Sequence, residues 1–206
     1  MCGIAGYLGS DVKEEAVRSM ADALIHRGPD DAGVWLDAID GIALSHRRLS
    51  IVDLSQAGHQ PMASRNGRYV IAFNGEIYNH LELRRELDKL RCDASLAMTG
   101  KDVFWSGHSD TETLLAGFEA WGIEATLKKT VGMFAIALWD REEKVLTLAR
   151  DRMGEKPMYY GFQNKIFLFG SELKALKAHP SFLSEIDRDV LCLYLRHCYI
   201  PAPFSI

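Results

Sequence analysis

Cys2 stands directly behind Met1, where one residue can supply both a nucleophile and a base. Removal of Met1, which the small side chain of Cys2 permits, leaves a thiol and a free α-amine on the same residue. An unperturbed α-amine has a pKa of about 8 and serves as a base close to neutral pH. Activation of a nucleophile by an adjacent base is the general logic of covalent catalysis, and an N-terminal amine can be that base. The thiolate is the reactive form of cysteine. With Met1 attached, the same nitrogen is an amide and no base. Taken alone, Cys2 reads more readily as a small apolar residue that starts a strand.

Acyl transfer also needs oxyanion donors and groups that hold the substrate. Asn74-Gly75 follows a buried apolar run, at what reads as the abrupt end of a strand. A side-chain amide beside a glycine N–H is a candidate oxyanion hole, and glycine allows close approach. The same dipeptide is also a common hairpin turn, although here a helix follows it. Arg48 closes another strand, where its guanidinium could clamp a carboxylate through two parallel hydrogen bonds or form a structural ion pair. Arg47 points to the opposite face of that strand. Glu76 and Asp110 are candidates for holding a cationic amine. Asp110 also opens a helix, where the dipole alone explains an acid. His26, His46, His59, His80 and His108 match no metal signature and read as loop or satisfied core residues.

The elements that must position these groups come in hairpins. Residues 3–8 read as a strand and 12–25 as an amphipathic helix with Val17, Met20, Ala21 and Leu24 inward. Strands follow over 33–37 and 41–48, turning near Asp40-Gly41, then a loop to Gly67 and a buried strand over 69–73. A helix starts near Asn79, with Glu82 at capping-box spacing and Leu83, Leu87 and Leu90 on its apolar face. Residues 91–108 read as irregular. Ser109-Asp110-Thr111-Glu112 caps a helix with Leu114, Leu115, Phe118 and Trp121 inward. A hairpin over 133–149, strands near 157–162 and 165–170, and helices near 171–178 and 187–198 complete the chain. Strands that are apolar on both faces fit two stacked antiparallel sheets with helices outside, an α+β class.

Composition excludes several functions. The 206 residues carry a net charge of −4, with 48% apolar and 25% charged residues. That balance offers no general attraction to nucleic acid or to an anionic membrane. No apolar run is long enough to span a bilayer, and no signal peptide is evident, so a cytoplasmic location is the default expectation. The four cysteines, Cys2, Cys92, Cys192 and Cys198, form neither a disulfide framework nor a zinc grouping.

In order along the chain, these motifs resemble the class II, N-terminal-nucleophile glutamine amidotransferase domain of the glutamine-hydrolysing asparagine synthetases. They begin with Met1-Cys2-Gly3-Ile4, His26-Arg27-Gly28-Pro29-Asp30-Asp31-Ala32-Gly33 and His46-Arg47-Arg48-Leu49-Ser50-Ile51-Val52-Asp53. Gly58-His59-Gln60-Pro61-Met62, Phe73-Asn74-Gly75-Glu76-Ile77-Tyr78-Asn79 and Ser109-Asp110-Thr111-Glu112 follow. Arg150-Asp151-Arg152-Met153-Gly154-Glu155-Lys156-Pro157 and Ser171-Glu172-Leu173-Lys174-Ala175-Leu176 complete the set. Each piece is weak alone, whereas the ordered set is specific and covers nearly the whole chain.

The resemblance implies a four-layer αββα sandwich and hydrolysis of glutamine to glutamate and ammonia through a Cys2 thioester. It implies that Asn74 and Gly75 hold the oxyanion and that Arg48 binds the α-carboxylate of glutamine. Glu76 and Asp110 would bind its α-amine, with the backbone of Ile51 and Val52, and the loop over 53–61 would be a lid. No metal or cofactor is expected in this part. ATP and magnesium are expected only in a second, ammonia-consuming domain whose Ser-Gly-Gly-Leu-Asp-Ser type loop does not occur here. On that reading, 1–186 are the glutaminase domain, 187–206 begin the connection to the absent domain, and the chain is a fragment. The long 91–108 stretch resembles bacterial members associated with surface polysaccharides or specialised biosynthesis, which leaves the acceptor of the ammonia open. A homodimer is also left open. The rival readings are an N-terminal-nucleophile hydrolase for another amide and a non-catalytic domain that keeps the fold.

Overall fold

The computed structural model describes residues 1–50, 56–95, 105–201 and 204, with the backbone alone described at 56 and 91–95. Nine strands form two antiparallel sheets among the described residues. One sheet contains β1 (Gly3–Leu8), β2 (Asp31–Asp37), β3 (Ile42–Arg48), β8 (Tyr159–Gln163) and β9 (Ile166–Gly170), in the order β2-β3-β1-β9-β8. The other contains β4 (Met62–Ala63), β5 (Tyr69–Ile77), β6 (Gly132–Asp140) and β7 (Val145–Arg150), in that order. The helices are α1 (Glu14–Asp22), α2 (His80–Ser95), α3 (Asp110–Trp121), α4 (Ile123–Lys129), α5 (Leu173–Lys177) and α6 (Arg188–His197).

Strand alternation divides the apolar side chains among three cores. Ile4, Ile42, Leu44 and Phe169 of the first sheet meet Val70, Ala72, Ala135, Ala137 and Trp139 of the second. On the other face of the first sheet, Ala5, Tyr7, Ala43 and Leu168 pack against Val17 and Met20 of α1 and Ala175 and Leu176 of α5. On the other face of the second, Tyr69, Ile71, Phe73, Phe134 and Ile136 pack against Leu83 of α2 and Leu114 and Phe118 of α3. Three cores between four layers make the αββα sandwich. The apolar-on-both-faces reading was therefore sound.

Three local readings need correction. β5 does not stop at Phe73. It continues through Asn74, Gly75 and Glu76, which pair with Ala135, Phe134 and Met133 of β6. Asn79 does not cap α2 with its side chain. Its amide bridges the end of α4, donating to the Lys129 carbonyl at 3.0 Å and accepting from the Val131 N–H at 2.9 Å. Leu90 is exposed, whereas Leu83 and Leu87 are buried. Ser109 does cap α3, accepting from the Glu112 N–H at 3.3 Å. The seven-residue α4 and two-residue β4 were not foreseen. Of the residues singled out earlier, Ile51, Val52, the side chain of Cys92 and residues 53–55 of the 53–61 loop lie outside the described set.

Candidate active site

β1, β3 and β5 bring their polar ends to one end of the inter-sheet core. Along β3, residues Ile42, Leu44, His46 and Arg48 share a face, and along β5 so do Val70, Ala72 and Asn74. The apolar members close the core. The last polar members line a cavity of about 200 Å³ together with Cys2, Leu49, Gly58, Gly75, Glu76, Asp110 and Lys156. Every described candidate from the sequence is therefore in one place. Arg47 is not. Its guanidinium bonds the Ala21 carbonyl and pairs with Asp22 on the α1 side.

Cys2 is fixed on two sides. Its Sγ accepts the Leu49 N–H at 3.4 Å and lies 3.7 Å from the Leu49 carbonyl. Its own carbonyl accepts Arg27 Nε at 2.9 Å. Arg27 in turn pairs with Glu172 at 2.9 Å. Glu172 sits in a cluster of Arg27, His26 and Lys174, whose hydrogen bonds outweigh the cost of burial and hold its carboxyl down to about 2. The sequence reading gave this group no role, although Arg27 and Glu172 both lie within quoted motifs.

The donor pair at Asn74-Gly75 is built by β5's edge. Phe134 spends its N–H on the Asp151 carboxylate and its carbonyl on the Asp151 N–H. Its partner Gly75 is thus in a non-hydrogen-bonded pair and turns its own N–H away from β6. On the same edge the Phe73 N–H reaches Gln60 Oε1 at 2.7 Å and the Ile77 N–H reaches Asp110 Oδ2 at 2.9 Å. Between those two occupied donors lies the N–H of Gly75. A Cβ at Gly75 would strike the Met133 carbonyl, so glycine is required by the close strand. Asn74 is 1% exposed, and its Nδ2 has no hydrogen-bond partner. Two adjacent donors are thus left open in the cavity that holds the thiol.

The cavity's charges are set by burial. Arg48 is 8% exposed, and Gly58 lies so close to its guanidinium that a Cβ there would collide with it. Burial raises Asp110 above the ordinary carboxylate range, against the pull of the Ile77 N–H. Glu76 is exposed at the rim. Gln60, which the sequence reading passed over, ties the segment before β4 to β5 and α3 through Phe73 and Thr111. Among the described residues, no group of three or more His, Cys, Asp and Glu is placed to hold a metal ion. Nor is any helix long and apolar enough to cross a membrane.

His46 is the satisfied core histidine anticipated. Its Nε2 lies 2.9 Å from the Phe73 carbonyl and so carries a proton as donor. Burial pushes its pKa from 6.5 down to about 4. The unfolded chain therefore takes up a proton that the folded chain refuses as pH falls through that window. The associated stability is intact above pH 6.5 and shrinks by about 3 kcal/mol on reaching pH 4. Denaturant melts at several pH values are expected to show this slope, and His46→Gln is expected to flatten it. An unchanged slope in that variant would assign the pH dependence to other groups.

The stacked sheets and the thiol-plus-donor cavity define an N-terminal-nucleophile amidotransferase fold. The chain belongs to the glutamine amidotransferase domain family, which it matches over residues 1–206. It is 38% identical over 196 residues to asparagine synthetase [glutamine-hydrolyzing] 3 of Bacillus subtilis, covering 91% of this chain and 29% of that protein. It is 40% identical over 183 residues to asparagine synthetase B of Escherichia coli, covering 85% of this chain and 30% of that one. The chain thus spans under a third of these two relatives. Among solved structures it resembles the glutamine phosphoribosylpyrophosphate amidotransferase of B. subtilis. There the TM-score is 0.69 at 20% identity, over 86% of this chain and 43% of that one, a likeness of fold.

Proposed function

We propose that this chain hydrolyses glutamine to glutamate and ammonia, with Cys2 as nucleophile and its own α-amine as base. The observation that carries this is the open donor pair, Asn74 Nδ2 and the Gly75 N–H, in the cavity beside the Cys2 thiol. Once Met1 is removed, the amine takes the thiol proton as sulfur attacks the side-chain amide carbon. The oxyanion forms against Asn74 and Gly75, where charge develops and the donors are already in place. The amine returns the proton to the departing nitrogen, ammonia leaves, and water cleaves the glutamyl thioester. Arg48 takes the α-carboxylate, and Glu76 and Asp110 take the α-amine, with Ile51 and Val52 contributing backbone groups. Those opposite charges suit a free amino acid better than an amide embedded in a larger substrate.

The glutaminase reaction uses no metal or cofactor on this reading. The relatives' names, asparagine synthetase [glutamine-hydrolyzing], support delivery of the ammonia to a synthetase domain. On this reading the protein works in the cytoplasm, and that domain uses ATP and magnesium. Residues 187–206 begin the connection to it, consistent with α6 burying only Val190. In the described part of the segment before β4, Gly58 lies against Arg48, which suits a lid role for 53–61; residues 53–55 lie outside the described set. The deciding experiment is glutamate and ammonia release from glutamine by chain with a mass-verified Cys2 N-terminus. Turnover that stops when a glutamine-like electrophile labels Cys2 is expected. A processed chain that neither turns over glutamine nor is labelled at Cys2 would leave a binding module with this fold.

Arg48 provides a separate check on the substrate. Arg48→Lys keeps the charge and loses the two-pronged fork. It is expected to raise KM for glutamine roughly tenfold with little change in kcat, the pattern of lost uniform binding, at about 1.4 kcal/mol. An unchanged KM would remove Arg48 from the carboxylate site.

A further inference from the structure

Lys156 is a buried cation with no carboxylate paired to it among the described residues. It is 6% exposed, and the partner of its Nζ is the Sδ of Met1 at 3.6 Å. Buried charges are normally paired, so an ammonium held this way points to a task. Its backbone is clamped in the β7–β8 connection. The Lys156 N–H donates to Asp151 Oδ2 at 3.0 Å, and its carbonyl accepts Arg150 Nε at 2.6 Å. Asp151 also accepts from the Glu155 and Phe134 N–H groups at 2.8 and 3.2 Å. The connection thus holds the lysine in the cavity wall.

The surroundings of Cys2 locate that ammonium. The thiol faces Leu49, and the carbonyl is taken by Arg27. The remaining side of Cys2 is its nitrogen, to which Met1 is attached, and the Met1 side chain ends at Lys156. We propose that Lys156 tunes the catalytic base: with Met1 removed, its positive charge stands on the amine side of Cys2 and keeps the α-amine neutral and able to accept a proton. This rests on the glutaminase reading above. Like charge disfavours the protonated amine, so the base remains available at lower pH.

The other charges around the site do not replace it. From β3 come His46, neutral where the enzyme works because burial holds it at about 4, and Arg48. From the segment before β2 comes Arg27, which is paired with Glu172. From β5 and α3 come Glu76 and Asp110. When glutamine is bound, its carboxylate offsets Arg48 and its ammonium offsets the two acids. From the lysine's own connection come Glu155, Arg150, which donates to the Lys156 carbonyl, and the Asp151 carboxylate, which is engaged by backbone N–H groups. Among the described residues no carboxylate pairs with the Lys156 ammonium. Lys156 acts through the amine and is a positioning residue, not one that touches substrate.

The test uses processed chains carrying Lys156→Met, Lys156→Gln and Lys156→Arg, each checked for folding by circular dichroism. Two profiles are read, kcat/KM for glutamine against pH and competitive acetylation of the Cys2 α-amine by acetic anhydride against pH. Both neutral variants are expected to move the acid limb and the amine's labelling midpoint upward together by about one pH unit. The Arg variant is expected to keep both near wild type. A KM increase with the labelling midpoint unmoved would overturn the proposal and assign Lys156 to glutamine. A uniform loss at every pH would overturn it as well. If wild type fails to hydrolyse glutamine, the glutaminase reading fails, while the labelling arm still reports whether Lys156 depresses the amine.

Discussion

A processed chain with Cys2 replaced by Ala is expected to lose glutamine hydrolysis by roughly 10⁴-fold or more while keeping its fold. The thiol is the one group in the cavity that can form the thioester, and no neighbour substitutes for it. The described cysteines other than Cys2 are Cys192 and Cys198, both exposed, in α6 and just after it. The structural cost of the substitution is small. Among the described residues the hydrogen bonds of Sγ go to the Leu49 backbone, one long contact each way. Glutamate release and a thermal melt on the same preparation separate the two effects. Activity within tenfold of wild type would place the nucleophile elsewhere.

Asn74→Ala is expected to lower kcat by about 10²–10³, equivalent to about 2.7–4 kcal/mol, with KM nearly unchanged. In the free enzyme Asn74 Nδ2 bonds to nothing, so its contribution arises as the oxyanion forms. The same fact makes a second, less common expectation. A buried donor without a partner costs about 1–3 kcal/mol of stability, so removing it is not expected to lower the melting temperature. Asn74 is paired with Ala135 and shares a face of β5 with Ala72, so its neighbours there are small. A large activity loss with unchanged or higher stability is the signature of a donor held for the transition state. A large drop in melting temperature would make Asn74 a structural residue.

The layers were legible because each strand carries apolar residues on both faces, which one sheet with a wet side does not require. The chemical residues were legible as types, and the strand alternation that separates Arg47 from Arg48 held. What failed were features decided across the sheet. Asn-Gly is a strong turn signal, yet here β6 extends far enough to pair with Gly75 and Glu76, and the strand runs on to Ile77. Asn79 matches a cap by spacing, but the backbone at Lys129 and Val131 competes for its amide and wins. The seven residues of α4 are too few to show a helical period. Arg27, Gln60 and Lys156 sat inside quoted motifs without roles, because their partners are distant in sequence. Arg27 meets Glu172, 145 positions away, and Lys156 meets Met1, 155 away.

The position of β1 in its sheet has a consequence for synthesis. It is made before the other described strands, yet it lies between β3 and β9, with Ala5 paired to Gly170. At ordinary translation rates roughly 10–30 s separate those two residues on the ribosome. During that interval β1, which Cys2 directly precedes, has one sheet neighbour at most. Until Gly170 emerges, β1 therefore lacks one of its two sheet neighbours. The same delay leaves Met1 clear of Lys156, giving a removing peptidase a period of access before the sandwich closes.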